Sequence, residues 1–339
     1  MSESNLFKDI ASLLWSSVNA FSKPYRQSKA VQAPGDMKVI SVGNILAGGV
    51  GKTEVVAEIG RELSIRTGRP ILICLRGYGA PQALPESGVL MKPGEFFTAE
   101  QVGDEALVHR EKNPSAYILV GASRAKVLAH HWSDGKEASL EVRFKHLPPP
   151  IVILDDGMQH ETLHKDVEVV VHDFRLKNSY FREFRNSLLR PELLRLSFSG
   201  VPKPYSDQEW FKVHYVLDEN IKKSLVAKAP MLFCALGNPN RLRSFLHFND
   251  LDLAGERFFP DHHFYSGADL HELEQWFLAK QSSDSKVSLV TTLKDFVKIP
   301  AQWRMKMQPY LHVLQIKLEF LDPNAREKFY ANLIQRISE

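Results

Sequence analysis

The sequence has only two cysteines among its 339 residues, Cys74 and Cys234. Each lies inside an apolar run, so we expect two buried, reduced thiols, and neither a disulfide framework nor a cysteine-based zinc site is supported. A charge excess of one sign is also missing, because 43 Lys and Arg face 40 Asp and Glu, which gives a formal net charge of +3. We therefore expect no broad basic surface and no nucleic-acid partner.

No apolar run approaches the ~20 residues that a membrane-spanning helix needs. The N-terminal region instead has apolar side chains at helical spacing, followed by the cations Lys23, Arg26 and Lys29. The apolar stripe consists of Leu6, Phe7, Ile10, Leu13, Leu14, Val18 and Phe21. This pattern is typical of a helix lying in a membrane interface, but also of a helix packed on its own domain. Periodicity alone favours packing on the domain.

Short apolar runs alternate with helical patterns along much of the chain. The predicted strands are MKVISVG, PILICLRG, AYILVG, PIVILDD and VEVVVHD. Helical patterns between them predict an α/β fold with a mostly parallel sheet and helices on both faces. Residues 79–102, rich in Pro and Gly, are predicted to form a long loop. We divide the chain into an N-terminal helix (1–30), a core domain (31–217) and a smaller C-terminal α/β domain (218–339).

The stretch SVGNILAGGVGKTEVV indicates a nucleotide site, because a strand, a glycine-rich turn and a helix place backbone N–H groups around a phosphate. The predicted nucleotide-binding residues are Gly48, Gly49, Val50, Gly51, Lys52 and Thr53. Lys52 is expected to reach the terminal phosphates, and the Thr53 hydroxyl to bind Mg²⁺. Leu46 stands where the usual phosphate-binding loop has its first glycine.

Asp155 and Asp156 follow the apolar run PIVIL, at the predicted end of a strand. Alone, an Asp-Asp-Gly sequence after a strand is more often a turn. Carboxylates at the carboxyl end of a parallel strand face the ligand crevice, however, and the phosphate-binding loop requires an acid for its metal. We therefore predict that Asp155 and Asp156 bind Mg²⁺, directly or through water.

The unusual loop leaves two families open. ParA/MinD-type regulatory ATPases carry a lysine before the first loop glycine, where this chain has Ala47. The chain instead resembles the tetraacyldisaccharide 4'-kinases, from its amphipathic N-terminus to Lys298. The motifs that carry this resemblance are SVGN at 41–44, GGVGKT at 48–53, RGYG at 76–79, GDE at 103–105, DDGMQH at 155–160, GNP at 237–239, FPDHH at 259–263, and KD and VK at 294–298.

The resemblance implies a P-loop NTPase-like kinase that uses ATP and Mg²⁺. Asp104 is then the group that accepts the proton of the acceptor hydroxyl, although a helix cap is the commoner role for such an aspartate. His262 is expected to pair with Asp104 and is preferred to His263, although a histidine in such a turn is more often a surface residue. Glu105 is expected to assist Mg²⁺ or to face solvent.

Four further residues are expected to contact the substrate: Asn44, Arg76, Gln159 and His160. Arg76 suits a substrate phosphate, while a structural ion pair is the alternative. Gln159 and His160 could instead orient the metal-binding acids. Lys294 and Asp295 are assigned either to the base side of the nucleotide or to a contact between domains.

The resemblance also implies a partner and a location. The acceptor is a lipid A disaccharide precursor, so the enzyme is expected to work as a monomer at the cytoplasmic face of the bacterial inner membrane, with its N-terminal helix in the lipid interface. Three departures from the family pattern are Met158, Leu293 and a missing glycine in Leu188–Arg195. The rival functions are a ParA/MinD-like membrane-associated ATPase and a nucleotide-binding membrane scaffold without turnover.

Overall fold

The computed structural model of the protein describes residues 3–46, 50–80, 82–133, 139–176, 180–283 and 286–339, with side chains from residue 10 onward. The described residues form two sheets of nine and four strands. The strands are β1 Lys38–Gly43, β2 Ile71–Leu75, β3 Val89–Met91, β4 Tyr117–Val120, β5 Ile151–Asp155, β6 Val167–His172, β7 Leu194–Ser197, β8 Phe211–Leu217, β9 Ala229–Cys234, β10 Gly255–Phe258, β11 Val287–Thr292, β12 Leu311–Leu314 and β13 Ile316–Phe320.

The large sheet has the spatial order β13-β8-β7-β6-β1-β5-β2-β4-β3 and is parallel except at its two edges. The small sheet, of order β10-β9-β11-β12, is parallel throughout. The helices are α1 Glu3–Gln27, α2 Lys52–Thr67, α3 Ala99–Val102, α4 Asp104–Lys112, α5 Arg124–Trp132, α6 Leu140–Phe144, α7 Glu219–Val226, α8 Pro239–Phe248, α9 Gly267–Gln281, α10 Leu293–Phe296, α11 Ala301–Met307 and α12 Pro323–Ser338. This is the mostly parallel α/β architecture predicted from the alternation of strand and helix patterns.

Helices cover both faces of the large sheet because its central strands are apolar on both sides. Ile40 and Val42 of β1 belong to the core that α2, α4 and α12 complete. Val39, which precedes Ile40 and points to the other face of the strand, belongs to the opposite core with α5 and α6. This arrangement leaves the carboxyl ends of β1 and β5 as the open edge, where parallel sheets bind ligands.

The chain returns to the large sheet at its C-terminal end. β13 pairs antiparallel with β8, and α12 packs Phe329, Tyr330 and Leu333 into the core on α2. The division into domains remains a prediction. Within the predicted C-terminal domain, residues 218–339, the last strand and the last helix lie on the large sheet. β13 follows β12 after a single residue, and the two strands form one apolar run in the sequence, LHVLQIKLEF. The sequence pattern therefore could not show that they belong to different sheets.

Residues 79–102 differ from the predicted long loop in two places. β3 pairs antiparallel with β4, and α3 forms a single turn before the active-site helix α4. Thr98 caps α3 through a capping box with Gln101. Both elements are shorter than the windows in which hydrophobic periodicity can be read, which explains why the pattern missed them.

Helix α1 docks on the core through its polar side. Ser12 and Ser16 hydrogen-bond the backbone of Phe181, and Asn19 donates to the carbonyl of Arg182 at 2.7 Å. From residue 10 onward its large apolar side chains face outward, with Phe21 87% exposed. None of the helices in the described part of the chain is long and apolar enough to cross a membrane.

A buried carboxylate organises the small sheet. Asp295 of α10 is fully buried, and its oxygens accept hydrogen bonds from Ala235 N, Tyr265 Oη and Thr292 Oγ1 at 2.7–3.0 Å. The Lys298 ammonium, also without exposure, lies 2.9 Å from Asp295 Oδ1. This network fixes α10 at the carboxyl ends of β9 and β11.

Replacing Asp295 with Ala should therefore lower the free energy of unfolding by about 3–5 kcal/mol, because Lys298 would be left as an unpaired buried charge. Denaturant unfolding of the purified protein measures this. Glu272→Ala, which breaks the exposed 3.7 Å pair with Arg257, is the matched control and should cost less than about 1 kcal/mol. Equal losses in the two variants would contradict this account of the network.

Candidate active site

The phosphate-binding loop lies between the end of β1 and the start of α2. Gly51 is the N-cap of α2 and has a left-handed φ of 89°. A Cβ at Gly51 would also overlap the hydroxyl of Tyr215 on β8, so both the backbone angle and the space require glycine. The first N–H groups of α2 lack helical partners and are available to an anion.

The remaining loop residues divide into described and undescribed positions. Gly48 and Gly49 lie outside the described residues, so their assignment to the nucleotide remains a prediction. Val50 is fully buried and holds the loop on the core. Thr53 is partly exposed at the second position of α2, next to Lys52.

Lys52 and Arg182 share one carboxylate. Lys52 Nζ lies 3.2 Å from Asp156 Oδ1, and Arg182 Nη1 lies 2.6 Å from Asp156 Oδ2. Burial alone would raise the pKa of Asp156, but the charges and hydrogen bonds of the two cations lower it to about 2. Asp156 is therefore ionised and, in this state of the protein, is the counter-ion of the lysine predicted to bind phosphate.

Asp155 is held from α4 and α5. His109 Nε2 lies 2.9 Å from Asp155 Oδ2, and both side chains are almost completely buried. Arg124 Nη1 donates to the Asp155 carbonyl at 2.5 Å and lies 3.4 Å from the Asp156 carbonyl. Burial, and then the charge of Arg76, lower the pKa of Arg124 to about 10, so it remains a cation at neutral pH.

Glu105 lies one helical turn before His109 on α4. Its pKa is raised, first by burial and then by the charge of Asp155. Such a pair favours a divalent cation, and carboxylate oxygens are the ligands that Mg²⁺ prefers. Across the described ranges, no three His, Cys, Asp or Glu side chains form a ready-made metal cluster.

Asp104 and His262 contact each other across the two sheets. Asp104 begins α4 and is 1% exposed, and its Oδ2 lies 3.1 Å from His262 Nδ1. Burial would raise the pKa of Asp104, but the hydrogen bond from His262 and the charge of Lys294 lower it below its ordinary value. The same hydrogen bond raises the pKa of His262, against the opposing effects of burial and Lys294. His263 instead contacts Asp269, at 3.1 Å.

Lys294 completes this group from α10. Its Nζ lies 3.3 Å from His262 Nε2 and 3.8 Å from Asp104 Oδ2. Because the lysine has only N–H donors, this contact leaves Nε2 of a neutral His262 as an acceptor and Nδ1 as the donor to Asp104. Lys294 therefore makes a contact between the two sheets, the second of its two predicted roles, while Asp295 lies in the buried network of the small sheet.

The RGYG motif brings its backbone against this group. A Cβ at Gly79 would lie 3.0 Å from His262 Nδ1, and a Cβ at Gly103 would lie 2.8 Å from the Tyr78 carbonyl. Both glycines also have positive φ. Arg76 is exposed, with its guanidinium carbon 5.8 Å from the centre of the Tyr78 ring. Arg76 is thus available to an anion in the crevice.

The other predicted substrate residues lie beside the two acids. Asn44 is fully buried, and its side-chain amide has no hydrogen-bond partner within the described part of the chain. Gln159 donates to the Asn44 carbonyl at 3.0 Å. His160 lies 3.3 Å from Thr162 Oγ1, and burial, followed by nearby cations including Arg124, lowers its pKa to about 3. His160 is therefore a neutral imidazole.

Three residues of the site were not predicted: His109, Arg124 and Arg182. His109 is four residues after Glu105 on a predicted helix, so the spacing that puts both on one face could have identified it. Arg124 begins the helix after a predicted strand, a position that faces the crevice. Arg182 carries no such local signal, because only the tertiary fold brings it to Asp156.

Comparison with known proteins gives a consistent result. A family model described as tetraacyldisaccharide-1-P 4'-kinase matches residues 5–336. A tetraacyldisaccharide 4'-kinase of Bradyrhizobium sp. (strain BTAi1) is 27% identical over 316 residues, covering 87% of this chain and 83% of the relative. One from Rickettsia canadensis (strain McKiel) is 31% identical over 276 residues, covering 77% of this chain and 76% of the relative.

A solved structure shares the fold. The "apo" form of LpxK from Aquifex aeolicus, crystallised in complex with ATP, superposes with a TM-score of 0.69 and 21% sequence identity. The similarity covers 96% of each chain. The two proteins therefore share a fold over nearly their whole length.

The contact between Asp104 and His262 predicts a titration. In wild type, histidine NMR should give His262 a pKa above 6.5, because the hydrogen bond to the carboxylate favours the imidazolium. In Asp104→Asn the pKa should fall, since burial and the charge of Lys294 are then opposed only by the charge of Asp261. Asp269→Asn, which removes the carboxylate beside His263, is the control and should leave His262 unchanged. A pKa of His262 that is the same with and without the Asp104 carboxylate would refute the pairing.

Proposed function

The chain belongs to the tetraacyldisaccharide-1-P 4'-kinase family, and we propose that it transfers the γ-phosphate of ATP to the 4'-hydroxyl of a tetraacyl disaccharide 1-phosphate, a lipid A precursor. One observation carries the assignment of the reacting groups. Asp104, whose carboxylate is buried, is the first residue of the short helix α4, and His109 of the same helix contacts Asp155. A proton acceptor and a metal acid therefore face one crevice, beside the phosphate-binding loop.

The proposed transfer requires little basicity from Asp104. As the bond between the acceptor oxygen and phosphorus forms and the bond from phosphorus to the β,γ-bridging oxygen breaks, the hydroxyl proton moves to Asp104 and ADP leaves. Because the transition state is largely dissociative, the proton leaves late, and a carboxylate of low pKa is sufficient. His262 and Lys294 keep that carboxylate ionised and orient its oxygens.

Charge on the transferred group is neutralised by Lys52 and by the N–H groups at the start of α2. Mg²⁺ would be held by Asp155, Thr53 and Glu105, and Asp156 would bind it directly or through a water molecule. When bound, the ion would withdraw charge from the β- and γ-phosphates. Arg76 and the amide of Asn44, with Gln159 and His160, are available to the disaccharide and its phosphate. Because one chain supplies all these groups, we expect a monomer to be active.

The family assignment supports a kinase and not the ParA/MinD-type alternative, whose signature lysine is replaced by Ala47. Its direct test is transfer of labelled γ-phosphate from ATP to a purified disaccharide 1-phosphate lipid in detergent micelles. Lys52→Ala and Asp104→Asn should each reduce transfer at least about a hundredfold, because each removes a group that acts on the reacting atoms.

Lys222→Ala and Asp269→Asn are matched controls that change the same residue types away from the crevice, and both should label lipid at the wild-type rate. Wild-type protein that binds ATP but labels no lipid would contradict the proposed acceptor. Binding without any ATP consumption in the presence of the lipid would identify the chain as a nucleotide-binding scaffold.

We also propose that α1 lies in the cytoplasmic surface of the bacterial inner membrane. Its polar side is used for docking on the core, so the apolar side has no partner among the described residues and is turned to solvent. The exposed apolar side chains are Ile10, Leu13, Leu14, Trp15, Val18 and Phe21. The partly exposed Arg26 at the end of the helix and the exposed Lys29 after it suit anionic headgroups, whereas Lys23 is paired with Glu161 and Glu183 on the core.

The double variant Leu14→Ser/Phe21→Ser should bind vesicles of anionic phospholipid at least about tenfold more weakly, because each side chain contributes about 1.5–3 kcal/mol when fully buried. Co-sedimentation measures the bound fraction. The control is Leu321→Ser/Phe248→Ser, since Leu321 and Phe248 are 60% and 87% exposed, against 62% and 87% for Leu14 and Phe21. Equal weakening in both double variants would refute the role of α1.

A further inference from the structure

Residues 180–183, here called the connecting segment, lie against the chain that leads into the phosphate-binding loop. The Arg182 N–H donates to the Ile45 carbonyl at 2.7 Å. Phe181 forms an antiparallel bridge with Leu46, the last described residue before the loop glycines. The connecting segment therefore fixes the backbone from which the loop starts.

The other side of the connecting segment is bound by α1. Ser12 Oγ accepts a hydrogen bond from the Phe181 N–H at 3.0 Å, and Ser16 Oγ donates to the Phe181 carbonyl at 3.3 Å. Asn19 Nδ2 donates to the Arg182 carbonyl at 2.7 Å. Three residues spaced along one side of α1 thus bind two consecutive residues of the segment.

The Arg182 side chain reaches the active-site carboxylate itself. Its Nη1 lies 2.6 Å from Asp156 Oδ2, while Lys52 Nζ lies 3.2 Å from the other oxygen, Oδ1. Glu183, the next residue, accepts a hydrogen bond from Gln159 at 3.2 Å. Two side chains of the connecting segment, Arg182 and Glu183, therefore contact the two ends of the Asp156–Gln159 turn.

Lys52 has two possible partners, and it cannot bind a phosphate fully while it remains with Asp156. The Asp156 side chain is only 24% exposed. If Lys52 moved to a phosphate and no other cation were present, a largely buried carboxylate would be left unpaired, which is unfavourable. Arg182 remains on Asp156 and removes that penalty.

We propose that the connecting segment couples α1 to the phosphate-binding loop, with Arg182 as the positioning residue that frees Lys52 from Asp156 for the nucleotide phosphate. The inference rests on the proposed nucleotide site but not on the lipid acceptor. It makes ATP affinity depend on Arg182, which binds Asp156, and on the docking of α1.

The test is the dissociation constant of ATP, measured by calorimetry on the full-length protein in detergent. Arg182→Leu should raise it about tenfold, or about 1.4 kcal/mol. Arg182→Lys should recover most of the affinity, since it keeps the cation. Arg185→Leu is the matched control, because Arg185 lies on the neighbouring turn over the Phe181 ring and away from Asp156, and it should bind ATP like wild type.

A second variant separates positioning from a merely structural role. In a Lys52→Met background there is no lysine to release, so adding Arg182→Leu should change ATP affinity less than twofold. The same tenfold loss in both backgrounds would overturn the proposal, as would unchanged affinity in Arg182→Leu alone. Thermal unfolding of each variant verifies that it is folded.

The coupling to α1 is tested by a separate variant. Asn19→Ala should weaken ATP binding about threefold in wild type and have no further effect with Arg182→Leu, because both act through the same segment. Ser22→Ala, whose hydroxyl bonds carbonyls of α1 itself, is the control. Additive losses would overturn the coupling. Wild-type protein that binds ATP but labels no lipid would contradict only the proposed function and leave this inference standing.

Discussion

The active site depends on one interaction, the contact of the buried Asp104 carboxylate with His262 and Lys294. A carboxylate with 1% exposure requires cationic or hydrogen-bonding partners. Here those partners come from the four-stranded sheet, whereas Asp104 lies on a helix of the nine-stranded sheet. The need to neutralise this one charge therefore holds the two sheets around a common crevice.

The same physical requirement recurs at each functional carboxylate. The Asp155 carboxylate contacts His109, and the Asp155 backbone carbonyl accepts a hydrogen bond from Arg124. The Asp156 carboxylate contacts Lys52 and Arg182. Lys52 and Arg182 lower the pKa of Asp156 to about 2, whereas burial and the charge of Asp155 raise the pKa of Glu105. The crevice thus contains two carboxylates with lowered pKa, Asp104 and Asp156, and one with a raised pKa, Glu105, whose charged form a divalent cation would stabilise.

Much of the fold was predictable because burial on both faces makes strands continuous apolar runs, as in ILICL of β2 and IVILD of β5. The positions of Lys52, Asp155 and Asp156 followed from the chain order of strand, turn and helix. The pairing of Asp104 with His262 came from family resemblance, since 158 residues separate them. Arg182 was missed because its contact with Asp156 arises only when the connecting segment packs between α1 and the residues that follow β1.

We propose that these groups transfer phosphate to one hydroxyl of an acylated disaccharide. Two-dimensional phosphorus–proton NMR of the lipid product, made from ATP and the disaccharide 1-phosphate, tests it most directly. The account predicts a second phosphorus signal correlated with the ring proton on carbon 4', beside the original 1-phosphate. A new phosphate on another carbon, or release of inorganic phosphate with an unaltered lipid, would contradict it.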